Sequence, residues 1–229
     1  MGHLWAVLWA ALAAAAVITA EKWFVPARLR RAGAPAPNDD GSADAAAPAR
    51  RGPLPWWILV PVCLWAAVCG SVVGHVEIGV LTFKATAGFA ILTFTAVTDY
   101  ALTVVPNKAV FALLLCRLIA AGWELLAGEQ ALWPLATSAL AALVWMALLG
   151  VLRWISHNGI GLGDVKLLAA LAFLWGPYTA FLTLLLGMLL CAGLAVVLVL
   201  MHRKKLKDTI PLGPALWVGY GLVILLAMA

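Results

Sequence analysis

The chain has 229 residues and a net charge of +5. It is 65% hydrophobic and only 11% charged, with a mean hydropathy of +1.03. A soluble domain is about half apolar and about a quarter charged, so a water-soluble enzyme or carrier is excluded and lipid is the expected solvent. The positive charge does not indicate nucleic acid, because its placement follows the membrane topology described below.

A helix needs about 20 apolar residues to cross the hydrocarbon core. Eight apolar runs occur, predicting an all-α polytopic bundle of about eight transmembrane spans. The first covers about 2–20. No basic residue stands ahead of it, and the first one, Lys22, follows it. A secretory signal has a positive leading segment, so this run is expected to be a retained helix. The polar stretch 22–54 comes next. It holds five prolines, the run Asp39-Asp40-Gly41-Ser42 and almost no large apolar side chain after Phe24, a composition expected of a flexible loop. Seven more runs follow, at about 55–74, 78–98, 107–127, 131–152, 165–176, 178–201 and 211–229. The sixth is short and is parted from the seventh only by Gly176-Pro177, so the two form either a tight hairpin or one broken span. The expected organisation is therefore a first helix (1–21), a cytoplasmic loop (22–54) and a membrane domain (55–229).

Basic residues orient these runs. With the N-terminus outside, the inside segments 21–54, 99–108, 153–166 and 202–210 carry thirteen of the 15 Lys and Arg residues. The other two, Lys84 and Arg117, fall within spans, and the outside loops hold Glu77 and Glu129 instead. This is a positive-inside pattern. Both termini are expected outside, with four loops in the cytoplasm.

Ionisable groups at membrane depth are costly and mark function by default. Asp99 ends the third run in Thr98-Asp99-Tyr100, followed after six residues by Pro106-Asn107. Asp164 opens the sixth run in Gly159-Ile160-Gly161-Leu162-Gly163-Asp164-Val165-Lys166. The topology brings both to one face at similar depth. Two such carboxyls can share a proton and hold a water, one drawing a proton from it while the other polarises a carbonyl. A single interfacial Asp can also be a helix cap, which suits Asp164. Three alternating glycines exceed what a cap requires, since glycine serves close backbone approach and unusual angles. Their spacing fits neither a dinucleotide nor a phosphate loop. The dipole of the helix beginning at Asp164 favours a carboxylate there, and that of the helix ending at Asp99 disfavours one. By that argument the shared proton is expected on Asp99.

The D-x6-P-N pattern and the segment Gly161-Leu162-Gly163-Asp164-Val165-Lys166-Leu167 resemble the two signature motifs of the type IV prepilin peptidases. The second also resembles the G-x-G-D motif of preflagellin peptidases and presenilins. Ile210-Pro211-Leu212-Gly213-Pro214, opening the last run, is a third similarity, and together they cover roughly residues 55–225. The resemblance implies a multi-pass protein of the bacterial cytoplasmic membrane. It would act as an aspartic endopeptidase, removing the short basic leader of type IV pilin-like precursors at the cytoplasmic face. It implies that Asp99 and Asp164 are the catalytic pair, with Gly159, Gly161, Gly163, Lys166, Pro106 and Asn107 shaping the site. Lys166, two residues past Asp164, points to another helix face and is not expected to pair with it. Pro106 and Asn107 are expected to start the fourth helix. His157 lies nearby, but this chemistry needs no imidazole.

Longer members of that family carry a cysteine-rich insertion after the first span, associated with N-methylation. Residues 22–54 contain no cysteine. The four cysteines lie in apolar runs without C-x-x-C spacing, so neither a zinc site nor any other metal or cofactor is expected. The partners implied are pilin-like precursors and membrane lipid, with no nucleic acid. Two other functions stay open. One is an ion- or proton-coupled transporter using the two aspartates, although carriers favour midplane acids and internal repeats. The other is an inactive scaffold of a secretion apparatus.

Overall fold

The computed structural model describes residues 2–24, 58–75, 79–128, 130, 132–157, 160–201 and 211–228. Among them are eight α-helices, α1 (Gly2–Thr19), α2 (Leu59–Val73), α3 (Val80–Leu102), α4 (Asn107–Leu126), α5 (Leu132–Ile155), α6 (Leu162–Trp175), α7 (Pro177–Leu200) and α8 (Gly213–Met228). A π-helical turn, Ala20–Phe24, continues α1. The eight apolar runs thus become eight helices. Residues 25–54 of the expected loop, and the basic segment 202–210, lie outside the described residues.

Five helices (α1, α3, α4, α5 and α7) are long and apolar enough to cross a membrane by their own length, while α2 and α8 are shorter apolar helices. Large apolar side chains such as Leu140, Leu143, Met188 and Leu189 cover the exterior of α5 and α7. That is the surface a bundle offers to lipid, where every backbone polar group is already satisfied within its helix.

The first two helices pack closely on each other. A Cβ on Gly70 of α2 would lie 2.7 Å from the Trp5 carbonyl oxygen of α1. Trp9, fully buried, donates its Nε1–H to Thr86 Oγ1 of α3 at 3.1 Å and stacks at 4.6 Å on Phe89. One ring thereby joins α1 to α3.

The short sixth run is α6, with 14 residues, about 21 Å at 1.5 Å per residue. Every residue from Leu167 to Ala172 is buried, and α3, α4, α5 and α7 all contact it. A helix apolar and buried all round belongs to an interior rather than to lipid. Its shortness is therefore no obstacle, because protein encloses it. Gly176 ends α6 with φ 93°, in the left-handed region, and its N–H donates to the Ala172 carbonyl at 2.7 Å. The sixth and seventh runs are accordingly two separate helices broken at Gly176.

Buried polar contacts tie four helices together. Glu124 of α4 pairs with Arg117 of the same helix at 3.0 Å and with Lys84 of α3 at 3.0 Å. Arg117 is 1% exposed. Trp175 of α6 donates to the Tyr220 hydroxyl of α8 at 2.8 Å, and that hydroxyl reaches the Lys84 carbonyl of α3 at 3.4 Å. Gly88 of α3 leaves room for it, since a Cβ there would stand 2.3 Å from the hydroxyl.

Candidate active site

The connectivity collects four helix ends at one end of the bundle: the C-terminus of α3 and the N-termini of α4, α6 and α8. Asp99 lies fifteen residues beyond Lys84 on α3, about 22 Å along the axis from the polar cluster just described.

Asp99 sits in the last turn of α3 and is buried, 7% exposed. The helix stops just beyond it, where Thr103 takes a left-handed conformation (φ 52°) and donates its N–H to the Asp99 carbonyl at 2.8 Å. The side chain turns towards α8, and its Oδ2 accepts the backbone N–H of Gly213, the first residue of that helix, at 2.7 Å. Only glycine permits this approach, because a Cβ on Gly213 would lie 2.8 Å from both Cβ and Oδ2 of Asp99. Gly213 is the site residue that sequence reasoning did not single out. Its signal was the Pro211-Leu212-Gly213-Pro214 opening of the last run.

Asp164 lies in the first turn of α6, half-buried, ahead of the apolar run 165–176. Burial, and then the negative charge of Asp99, push its carboxyl up to about 6. The two aspartates are thus electrostatic neighbours although 65 residues separate them in the sequence. Gly161 is the N-cap of α6. Its carbonyl accepts the Val165 N–H at 3.2 Å, and a Cβ on it would stand 3.0 Å from Asp164 Oδ2. Gly163 faces the other motif, and a Cβ there would lie 2.8 Å from Val105 Cβ in the α3–α4 connection. Absence of a side chain at Gly163 therefore lets the Gly-x-Gly-Asp turn pack on the segment between Asp99 and Pro106.

Pro106 is the N-cap of α4 and is buried, while Asn107 is its first helical residue and is exposed. Both start a helix, as expected. Lys166 is exposed, and among the described residues Asp164 has no ion pair with it. Gly159 lies outside the described residues. His157 is exposed, at φ 50° in the turn after α5. Among the described residues no group of three or more His, Cys, Asp and Glu stands together as metal ligands would.

Asp99 has a partner that the dipole argument for the shared proton did not include. Each helix dipole has the sign the sequence suggested, but a second helix intervenes. The N-terminus of α8 aims its Gly213 N–H at Asp99 and so favours a carboxylate there. Asp164 faces that charge from a partly desolvated position, and both effects work against its ionisation.

A multi-pass helical bundle with two coupled acids at one end defines the class. The comparisons narrow it further. The type IV leader peptidase family model matches residues 86–196, a stretch that contains both aspartates and both motifs. The chain is also similar to the prepilin leader peptidase/N-methyltransferase of Bacillus subtilis (strain 168), 29% identical over 164 residues. That match covers 70% of this chain and 61% of the length of that relative. The chain is thus similar to the type IV leader peptidases over the stretch that holds both aspartates. No solved structure matches it.

Proposed function

We propose that the protein is an aspartic endopeptidase of the bacterial cytoplasmic membrane that cleaves the leader from type IV prepilin-like precursors at the cytoplasmic face. One observation carries this reading. Two carboxyls from different helices lie within electrostatic reach at one end of the bundle, one held by the Gly213 N–H and the other raised by burial and then by its neighbour's charge. The similarity to leader peptidases supports the substrate class.

The chemistry follows from the unequal pair. Asp99, ionised, takes a proton from a water held between the carboxyls. The water oxygen attacks the scissile carbonyl while Asp164 gives its proton to the carbonyl oxygen. The tetrahedral intermediate collapses as Asp99 passes its proton to the leaving amine. The C–N bond breaks, and a hydroxyl proton of the intermediate returns to Asp164. Both acids end as they began. The mechanism uses neither metal nor cofactor. The deciding experiment is co-expression with a candidate prepilin, watching for a mobility shift that depends on both aspartates. A transporter reading gains nothing from two acids at one end of the bundle.

Three expected outcomes follow. Activity needs the pair singly protonated, so the proton on Asp164 must be present. A carboxyl raised to about 6 keeps its proton below that pH and loses it above. Cleavage at saturating precursor should therefore decline as pH rises from about 6 towards 8. A profile flat across that range would remove Asp164 from the acid role. The orientation predicts that reporters fused in 22–54 and 202–210 are active in the cytoplasm and one fused after Ala229 is active outside. A C-terminal reporter active only in the cytoplasm would contradict eight crossings. Finally, residues 22–54 supply no Cys or His for a structural zinc. Mature pilin made with this protein as the only processing enzyme is expected to show no mass gain of one methyl group at its N-terminus.

A further inference from the structure

Arg153 stands in the last turn of α5. Its Nη1 donates to the carbonyl of Ile160, seven residues ahead. The end of α5 does not need it as a cap. The Ser156 N–H already donates to the Leu152 carbonyl at 2.9 Å, the His157 N–H to that of Trp154 at 3.2 Å, and the Ser156 hydroxyl to that of Arg153 at 3.2 Å. Arg153 is half-buried, and its guanidinium reaches the Ile160 carbonyl just ahead of α6. A charge-assisted bond from such a rigid fork holds a carbonyl more firmly than a neutral donor does.

The carbonyl it holds belongs to the residue just before the Gly-x-Gly-Asp turn. Ile160 is followed by Gly161, which caps α6 through the Val165 N–H and lies against the Asp164 carboxylate. On the other side of the turn, Gly163 is packed on Val105. Val105 therefore fixes the turn from the Asp99 side, and Arg153 fixes it from α5. We propose that Arg153 is a positioning residue for Asp164, pinning the Ile160–Gly161 peptide so that the carboxyl stays opposite Asp99.

This inference rests on the two aspartates being the catalytic pair, and the experiment keeps the two ideas apart. Full-length Arg153→Met, Arg153→Lys and Asp164→Asn are purified in lipid nanodiscs and assayed on a purified prepilin-like precursor. Thermal unfolding is recorded for each. A catalytic group displaced by about 1 Å costs about 10²-fold in rate. Arg153→Met should lower kcat by about 10–100-fold with KM within about twofold of the parent. Arg153→Lys, which still donates one charged hydrogen bond, should recover most of the loss. An unchanged kcat in Arg153→Met overturns the inference, as does a raised KM at full kcat, which would make Arg153 a substrate contact. A kcat loss that Lys does not rescue, matched by an equal loss of thermal stability, overturns it as well. Cleavage by Asp164→Asn at the parent rate would instead overturn the catalytic assignment on which it rests.

Discussion

Neither Asp99→Asn nor Asp164→Asn cleaves a co-expressed prepilin-like precursor, and both still insert in the membrane: this is the expected result with the largest effect on activity. Each substitution keeps the size of the side chain and removes a proton site. Loss of one positioned acid or base costs about 10²–10⁴-fold, and in the proposed mechanism each residue serves in two steps, so the upper end is expected. The two differ in what they leave behind. Asn at 99 still accepts the Gly213 N–H through its amide oxygen, so the α3–α8 contact survives without its charge. Asn at 164 cannot deliver a proton to the carbonyl oxygen. A third variant separates chemistry from geometry. Gly213→Ala retains both carboxyls but places a Cβ 2.8 Å from Asp99 Cβ and Oδ2, and the backbone of α3 or α8 must yield. A loss of about 10²-fold is expected from such displacement. Precursor processing on gels, with membrane fractionation as the control for insertion, measures all three. Substantial cleavage by either properly inserted Asn variant would sink the assignment.

What the sequence revealed divides along a physical line. Hydrophobic runs are local, and each of the eight became a helix. The start of α4 at Pro106-Asn107 and the break at Gly176 were written in residues with marked backbone preferences, whereas α3 ends on Thr103 at φ 52°, a conformation its type does not announce. Both acids were visible because charge in an apolar segment is conspicuous. The partners of those acids were not visible. The Gly213 N–H meets Asp99 across 114 residues of sequence, and a backbone donor carries no side-chain signature. That missing partner also bears on the proton placement, since only the dipoles of the helices bearing the aspartates could be weighed from the sequence. The enclosure of α6 was likewise hidden, because a short apolar run looks the same whether protein or lipid surrounds it.

The buried triad shows the same division and leads to the largest expected effect on stability. Arg117 and Glu124 are seven residues apart on one helix, so their shared face could be read from spacing. Lys84 joins them only through the register of α3 against α4. The cluster holds two cations and one carboxylate, with Arg117 1% and Glu124 8% exposed. Such a group contributes little net stability when complete, because desolvation offsets attraction, but removing its single anion strands the cations. Glu124→Leu should therefore destabilise the protein by about 3–5 kcal/mol, lowering the thermal midpoint by roughly 10 °C for a chain of this size. Replacing all three residues together, as Lys84→Met, Arg117→Met and Glu124→Leu, leaves no unpaired charge and should restore most of the midpoint. Unfolding followed by intrinsic tryptophan fluorescence in detergent measures both. Cleavage should fall with the single variant near its lowered midpoint and recover with the triple, since Lys84 and Asp99 share α3 and the proposed active site is about 22 Å from the lesion. If Glu124→Leu unfolds at the parent temperature, the cations have found water or lipid phosphate, and the triad does not lock α3 to α4. If the triple variant is as unstable as the single, packing around Arg117 rather than charge balance holds that end of the bundle together.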